Sequence, residues 1–449
     1  MSKVVKLRRG LNIELKGAAE KILGKFPMSE SYAVKPENFH GLTPKLNVKQ
    51  GDTVKAGTPV FCNKYSPEVV FVSPVSGVVE AINRGDRRKL LEVVIKPDEE
   101  QIAEKYEITD ELLKSRDKII DLMLKAGYWS SVMQRPYGVI ANPKDKPKAI
   151  FISGFDSAPL LLDVDFLLSS QIEYFQKGVD ILGKLTDGKV HLGVNLFDSG
   201  SKLNKVKNAE ITVYSGKHPA GNVGVQINHI DPINKGDIVW TMDAQHVAML
   251  GKFFTTGEYS AEKIIALCGS GVTRPQYMRV ISGASLSVMH DQINDIENSR
   301  FISGNVLTGT NVGKNGYLGF YSNQVSVIPE GDKYEFVGWA MPRLNKFSVS
   351  KSYFSWLTPK KKYNLDTNLN GGERAFVVTR QYEDVLPMDI YPVYLLKAII
   401  AEDIDKMEQL GIYEVIEEDL ALCEFVCTSK IEVQSLIRKG INLMIKEMS

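Results

Sequence analysis

The sequence predicts a multi-domain α/β protein (α+β overall), and three patterns predict this class. Residues 41–95 alternate short apolar runs with glycine turns, which is typical of strands in a small barrel. Residues 109–252 alternate strand-like runs with apolar residues at helical spacing, which is typical of a doubly wound α/β layer. After Pro392 the apolar residues keep helical spacing, which indicates a helical C-terminal domain.

Composition excludes several classes of protein. The chain has 449 residues, 43% of them hydrophobic, and a formal net charge of +1, so nothing global points to nucleic acid. Its four cysteines are too few and too scattered for a disulfide framework. No apolar run is long enough for a membrane span or a secretory signal. We therefore expect a soluble, cytoplasmic chain that reaches a membrane complex only through partner subunits.

The first predicted domain, residues 1–100, combines an N-terminal segment with the barrel. A proline, a glycine and a valine recur in the same order in stretches 44–54 and 74–79, so two half-motifs can interleave into a flattened barrel like that of lipoyl and biotinyl carriers. Such carriers attach their cofactor to a lysine at a hairpin tip. Lys64 lies near that position, but no methionine flanks it and a proline follows closely, so we predict that it is unmodified.

The second predicted domain, residues 101–255, is Rossmann-like because strands and helices alternate with short turns. Its first helix is predicted to be capped by Thr109, to carry apolar side chains as far as Met123 and to end at Gly127. The later predicted elements are strand 149–152, helix 165–185, strands 190–194, 211–214 and 238–242, and a helix ending at residue 252.

Two further domains are predicted. Residues 256–330 fit a small β-grasp domain whose strands are separated by glycine and asparagine turns; these strands are 264–267, 277–281 and 325–328. Residues 331–449 are predicted to begin with a long loop and to end in helices. The last helix is predicted over 431–448, behind a capping box of Ser429 and Glu432.

No catalytic or metal-binding motif is complete. The stretch 309–315 lacks the glycine spacing of a P-loop and its magnesium-binding Ser or Thr. Cys423 and Cys427 are spaced i, i+4, but zinc or an iron–sulfur cluster needs four ligands, so we predict two buried apolar thiols and no metal. Four histidines lack a completing ligand, and we interpret them as hydrogen-bonding loop residues: His218, His229, His246 and His290.

Four other stretches are very specific: 216–233, 279–286, 303–309 and 384–392. The first begins Gly-Lys-His-Pro-Ala-Gly-Asn and the last reads Asp-Val-Leu-Pro-Met-Asp-Ile-Tyr-Pro. With the barrel stretch, they resemble the NqrA family, which belongs to the sodium-translocating NADH:quinone oxidoreductase, over essentially the whole chain. The resemblance implies a carrier-like barrel-sandwich domain, a Rossmann-like α/β domain, an SLBB-like β-grasp domain and a C-terminal helical bundle.

The resemblance also implies a function. The chain is expected to be a peripheral, cofactor-free subunit on the cytoplasmic face of the inner membrane that docks on the membrane subunits and contributes to the quinone-reduction end. NADH, FAD, FMN, riboflavin and iron centres are expected in the partner subunits, NqrB to NqrF, with the membrane subunit NqrB as the main contact and quinone as substrate of the complex. Two alternatives stay open: an Rnf-type electron-transfer subunit holding its own flavin, and a non-enzymatic adaptor with a carrier-like fold.

Three departures from flavin-binding relatives of similar architecture favour the cofactor-free role. Tyr128 and Trp129 bring bulk to the place where those relatives have a glycine-rich loop. The turn after the next strand has a single acid, Asp156, where they have an acidic Glu-x-Glu-Pro turn. Those relatives hold an iron–sulfur cluster with four cysteines near the C-terminus, and only Cys423 and Cys427 remain at that place in this chain. No catalytic, cofactor-binding or metal residue is therefore expected.

Two surface patches are candidates for docking. One is a basic N-terminal run, and the other is an aromatic–basic loop, residues 353–362, which contains Tyr353 and Phe354. Aromatic rings beside lysines suit a membrane interface or a subunit groove, and a quinone ring can stack on them. For the N-terminal run, the alternative is a solvated strand. For the loop, the alternative is an aromatic strand end packed into the core, followed by a solvated charge run. The N-terminal run comprises Lys3, Lys6, Arg8 and Arg9, and the predicted docking or quinone-contact residues are Trp356, Lys360, Lys361 and Lys362.

Overall fold

The computed structural model describes residues 3–25, 27–198, 200–332, 335–338, 341, 343–358 and 360–448. These residues form twenty strands, which pair into four sheets, and ten α-helices. The first nine strands are β1 (Lys3–Lys6), β2 (Glu20–Lys25), β3 (Tyr32–Val34), β4 (Pro44–Leu46), β5 (Thr53–Val54), β6 (Pro59–Asn63), β7 (Val70–Val72), β8 (Gly77–Arg84) and β9 (Leu90–Pro97).

Strands β3 to β9 form the predicted barrel. One sheet has the order β3-β9-β8-β5 and the other β4-β6-β7, with antiparallel neighbours in both. Side chains from both sheets share one core, in which Phe61 and Phe71 stack with their ring centroids 4.9 Å apart and Val79 is fully buried. The barrel-sandwich prediction is confirmed.

The following residues form a seven-stranded sheet flanked by helices. Its parallel part has the order β1-β14-β13-β12-β15, and β10 and β11 continue the sheet in antiparallel pairing. Strand β1, from the N-terminal segment, is its outer parallel strand. The remaining elements are α1 (Arg116–Lys125), β10 (Met133–Arg135), β11 (Val139–Ile140), β12 (Ala149–Ser153), α2 (Val164–Leu168), α3 (Ile172–Leu182), β13 (Lys189–Asn195), β14 (Glu210–Ser215), α4 (Val223–Ile230), β15 (Val239–Thr241) and α5 (Ala244–Thr256).

Three local predictions in this domain are wrong. The first helix begins at Arg116 with Ser115 as its N-cap, whereas Thr109 accepts a hydrogen bond from Leu112 at a short preceding turn. The single helix predicted over 165–185 is divided into α2 and α3, because the Ser169 hydroxyl donates to a carbonyl of α2 and competes with helix continuation. Helix α4 was predicted as loop, since its glycine and asparagine residues weaken the helical pattern.

The third sheet has the order β19-β18-β20-β16-β17-β2 and is the predicted β-grasp domain. Strand β16 pairs antiparallel with β17 and parallel with β20. Strand β2, from the N-terminal segment, pairs parallel with β17 and ends the sheet. The new strands are β16 (Glu262–Cys268), β17 (Gln276–Ile281), β18 (Ser299–Ser303), β19 (Thr310–Asn311) and β20 (Gln324–Pro329).

The C-terminal domain is helical, as predicted. It contains α6 (Gln381–Val385), α7 (Pro392–Ile400), α8 (Ile404–Gln409), α9 (Glu417–Val426) and α10 (Val433–Met448). The last helix starts later than the predicted residue 431, and the Ser429 hydroxyl donates to the Ala375 carbonyl (2.9 Å) instead of taking part in a capping box. Among the described helices, none combines the length and apolar character that a membrane span requires.

Candidate functional site

The strand order of the α/β sheet reverses between β12 and β15. From β12 the chain continues through α2 and α3 to β13 on one side, whereas from β14 it continues through α4 to β15 on the other. Doubly wound sheets bind ligands outside the carboxyl ends of their strands at such a reversal. We call this place, bordered by residues 154–163 and 242–246, the switch-point crevice.

The chain's own carboxylates bind the N–H groups that face the switch-point crevice. Asp243 precedes α5 and accepts hydrogen bonds from the N–H groups of Gln245 (2.9 Å) and His246 (3.4 Å). Asp156 accepts hydrogen bonds from the N–H groups of Ser157 (2.7 Å) and Ala158 (2.9 Å). Because a helix N-terminus otherwise attracts phosphate, side chains that already accept from these N–H groups disfavour a flavin or dinucleotide phosphate here.

Strand β16 of the β-grasp sheet closes the crevice from the other side. The side-chain amide of Gln245 accepts a hydrogen bond from the Ile264 N–H (2.5 Å) and donates one to the Ile264 carbonyl (2.9 Å), as a neighbouring strand would. Asn323 donates to the Asp243 carboxylate (2.9 Å). The β-grasp domain therefore takes up the side-chain hydrogen bonds of Gln245 and Asp243 at this edge of the crevice.

Lys263 is a buried amine at this junction. Its side chain is almost fully buried, and its Nζ donates to the Phe320 carbonyl (2.8 Å). Burial lowers the pKa of Lys263 to about 7, against the opposing effect of the Asp243 carboxylate. His246 stacks on the Phe320 ring with centroids 5.1 Å apart. Lys263 and His246 therefore both pack against protein atoms at this junction.

The bulky pair that replaces the glycine-rich loop of flavin-binding relatives is also packed. The Tyr128 hydroxyl donates to the Ser260 carbonyl (3.1 Å), and Trp129 donates through Nε1 to the Ala141 carbonyl (2.8 Å). The Trp129 ring meets Trp240 edge-on at 5.3 Å, and only 1% of Trp129 is exposed. A ligand therefore cannot approach the backbone here without displacing both rings.

The two C-terminal cysteines are buried, as predicted. Cys423 and Cys427 lie in the core of the helical domain, and burial raises the pKa of Cys423. The Ile431 N–H donates to the Cys427 sulfur (3.4 Å). Within the described ranges, no group of three or more His, Cys, Asp and Glu side chains is placed to hold a metal ion.

The histidines differ from the prediction of four loop residues. His229 lies on α4 and bonds the Val225 carbonyl through Nδ1 (2.9 Å), and His246 lies on α5, so both are helical. His218 does lie in a loop; it is buried, its Nδ1 is 3.1 Å from the Ser157 hydroxyl, and burial lowers its pKa to about 4. It is therefore a neutral structural residue at physiological pH.

A buried ion cluster that sequence reasoning missed joins the α/β and helical domains. Arg135 of β10 pairs with Asp419 (2.6 Å) and Glu418 (2.5 Å) at the start of α9. Asp419 also lies against the first turn of α4, where a Cβ on Gly224 would be 2.3 Å from its Oδ1. These residues are far apart in the chain, so no local pattern could have indicated the pair.

The aromatic–basic loop is open to solvent where the prediction placed the site. Trp356 is 52% exposed on a short helical turn, and Lys360 and Lys362 are exposed. Lys361 is partly used, because its Nζ donates to the Leu344 carbonyl (3.1 Å). The loop is anchored at Tyr363, whose N–H and carbonyl pair with the backbone of residues 14 and 16.

The surface around this loop is apolar. It includes exposed side chains of residues close in sequence, namely Met341, Leu344, Val349, Phe354 and Leu357. The basic N-terminal run differs in structure: Lys3 and Lys6 lie on β1, and Arg8 and Arg9 follow as exposed residues. Lys3 donates to the His229 carbonyl (3.2 Å), so part of this run has a local structural role.

Three family models match the chain. They are described as the NqrA N-terminal barrel-sandwich hybrid domain, matching residues 5–98, the NqrA second alpha/beta domain, matching 114–259, and the NQRA C-terminal domain (SLBB), matching 264–314. Among solved structures, a chain of NAD+-reducing [NiFe]-hydrogenase matches with a TM-score of 0.37 and 12% identity, covering 75% of this chain and 62% of that one. This similarity is too low to support an argument.

Curated relatives match along nearly the whole length. The NqrA subunit of the Na(+)-translocating NADH-quinone reductase of Yersinia pestis bv. Antiqua is 37% identical, covering 97% of this chain and 98% of the relative. The proteins of the same name from Pasteurella multocida (38%) and Hahella chejuensis (36%) match over 99% of this chain and all of theirs. With the three domain models in the expected order, this chain belongs to the NqrA family of Na(+)-translocating NADH-quinone reductase subunits.

Proposed function

We propose that this chain is a peripheral subunit of a Na(+)-translocating NADH-quinone reductase, which passes electrons from NADH to quinone and drives sodium outward. It holds no flavin and no iron centre, and no catalytic residue of its own. It docks on the membrane subunits, chiefly NqrB, at the cytoplasmic face of the inner membrane and contributes to the quinone-reduction end. The flavins and iron centres belong to the partner subunits.

The closed switch-point crevice is the observation that supports the cofactor-free role most strongly. Asp156 and Asp243 bind the N–H groups there, and Gln245 pairs with β16 across the opening. A flavin or NADH would need those N–H groups and that space together. Electron carriers are therefore assigned to other subunits.

The aromatic–basic loop supports the docking role. Exposed rings and apolar side chains lie beside lysines, which is the composition of surfaces that face lipid headgroups. The Trp356 ring is accessible for stacking against a quinone ring or a partner side chain.

Cofactor binding is tested by titrating the purified chain with FMN, FAD and NADH. We expect no flavin absorbance after gel filtration and no saturable binding of any of the three. Stoichiometric flavin in the isolated chain would favour the Rnf-type alternative. A chain that never co-purifies with membrane subunits would favour the adaptor alternative.

Docking is tested by combining Trp356→Ala with serine at Lys360, Lys361 and Lys362. We expect weaker attachment to the complex and slower quinone reduction, whereas NADH oxidation by an artificial acceptor persists. The matched control is Tyr65→Ala with Lys64→Ser, an exposed ring and lysine of the barrel. Unchanged assembly and quinone reduction in the loop variant would refute the role of this loop.

A further inference from the structure

Strand β2 leaves one edge of the β-grasp sheet open. It is the last strand of its sheet and pairs only with β17 among the described strands. Five of its six residues are exposed. The backbone N–H and C=O groups along its outer edge have no ladder partner in the described chain, so the edge is a ready template for another extended segment.

Two apolar side chains of this strand are exposed. Ile22 is 55% exposed and Leu23 is 41% exposed, although both lie within the strand. Natural edge strands are usually protected by short length, charge, bulges or proline. This strand has three charged residues, Glu20, Lys21 and Lys25, and an irregularity in its pairing with β17, and the exposed Ile22 and Leu23 lie between the charges. Two further exposed apolar residues, Leu161 and Phe197, come from loops after β12 and β13.

Carboxylates of these two loops lie beside β2. They make the surface along its outer edge negatively charged, and we call this surface the acidic rim. Lys21 of β2 forms an ion pair with Asp163. The hydrogen bond to Asp163 raises the pKa of Lys21, and the charges of Asp198 and Asp165 act in the same direction. One ammonium group is therefore paired with Asp163 and also feels the charges of Asp165 and Asp198, which leaves a local excess of negative charge next to the open edge.

We propose that the outer edge of β2 receives an extended, lysine- or arginine-bearing segment of another subunit of the complex, which adds a strand to the β-grasp sheet. An extended segment satisfies the open backbone groups, buries Ile22 and Leu23 and complements the acidic rim. A helix would leave the backbone groups unpaired. A second copy of this chain would bring two acidic rims together.

This inference rests on the proposed docking role, but it concerns a different surface from the aromatic–basic loop. Hydrogen–deuterium exchange of the purified complex, compared with the free chain, reports on both surfaces separately. We expect slower exchange of the amides of β2 in the complex. Unchanged exchange across residues 20–25 in an intact complex would overturn the added strand, whatever happens at residues 353–362.

Variants test the side chains of the edge. Ile22→Lys removes apolar contact and repels a cationic segment, so we expect about tenfold weaker binding of the chain to complex purified without it. Ile102→Lys is the matched control, because Ile102 is the same residue type, is 56% exposed and lies beside the barrel, where the Ala56 N–H donates to its carbonyl. Equal effects of the two changes would overturn the proposal.

Charge and self-association complete the test. Asp198→Asn is expected to weaken the same binding roughly two- to fivefold at low salt and to have little effect at high salt. A salt-independent effect of this change would contradict the acidic rim.

Self-association is tested by gel filtration of the free chain. We expect no dimer that the Ile22→Lys change dissociates. If such a dimer forms, and the amides of β2 are not protected from exchange in the complex, the edge would be assigned to self-association instead.

Discussion

The switch-point crevice and the aromatic–basic loop place similar side chains in opposite surroundings. Trp129, beside the crevice, is 1% exposed and donates its N–H to a carbonyl, whereas Trp356, in the loop, is 52% exposed. Lys263 is buried against a carbonyl, whereas Lys360 is exposed. The switch-point crevice, where this fold class usually binds a ligand, is closed by the protein's own side chains. The described residues of the aromatic–basic loop are exposed but do not enclose a binding site.

This difference indicates how the chain contributes to its complex. At the crevice the polar groups bind one another and join the α/β domain to the β-grasp domain, so their contribution is to stability. At the loop the rings and lysines have few partners within the described chain, so their contribution depends on what they contact. We therefore expect substitutions at the crevice to change the free energy of unfolding and substitutions at the loop to change assembly.

The largest expected effect compares the two tryptophans. Trp129→Ala removes a fully buried ring and should lower the free energy of unfolding by about 3–5 kcal/mol. Trp356→Ala should lower it by less than about 1 kcal/mol, because that ring is half exposed. Denaturant unfolding of both variants measures this difference. Equal losses of unfolding free energy in the two variants would show that Trp356 contributes as much to packing as Trp129.

The next effect concerns the amide that closes the crevice. Gln245→Ala leaves the N–H and carbonyl of Ile264 without their partners, and we expect a loss of about 2–3 kcal/mol in the free energy of unfolding. Gln50→Ala is the control, since Gln50 is exposed and donates only to the Glu80 carbonyl. A loss no larger than in the control would mean that β16 is held without Gln245.

An effect that is smaller for each pH unit follows from the pH dependence of Lys263. Its pKa is about 7 in the folded chain and about 10.4 in an unfolded one, so between these values the unfolded chain binds the extra proton. The free energy of unfolding should therefore rise with pH by ~1.4 kcal/mol per unit relative to Lys263→Met. Below pH 7 the difference between the two proteins should be constant. Parallel curves from pH 7 to 10 would contradict the lowered pKa.

The smallest expected effects are two null results, one at the exposed Lys64 and one at the buried Cys423 and Cys427. Lys64 is exposed at its hairpin, and we expect the intact mass to equal the sequence mass of 50.0 kDa. Serine at Cys423 and Cys427 should leave metal content unchanged, because two buried thiols leave half of a coordination sphere empty. An added lipoyl or biotinyl mass, or about one zinc per chain, would contradict these predictions.

Much of the fold could be predicted because its signals are local. Glycine turns between short apolar runs predicted the barrel, and the parallel strands β12 to β15 were found within one or two residues of their bounds. Helix α4 was missed because its burial against Asp419 and Arg135, rather than its own propensity, stabilises it. The division of α2 from α3 lies at Ser169 to Gln171, where the Ser169 hydroxyl donates to the Phe166 carbonyl and the backbone of Gln171 leaves the helical region, and local spacing does not indicate it.

The sequence by itself determined the order of domains, the burial of the two cysteines and the bulk of Tyr128 and Trp129, since each depends on residue type and near-neighbour spacing. Only the tertiary structure decided that β1 and β2 leave the N-terminal segment for two other sheets, that Arg135 meets Asp419 and that Gln245 pairs with Ile264. These contacts join residues far apart in the chain. Their partners are selected by complementary burial and hydrogen bonding across domains, which no local pattern encodes.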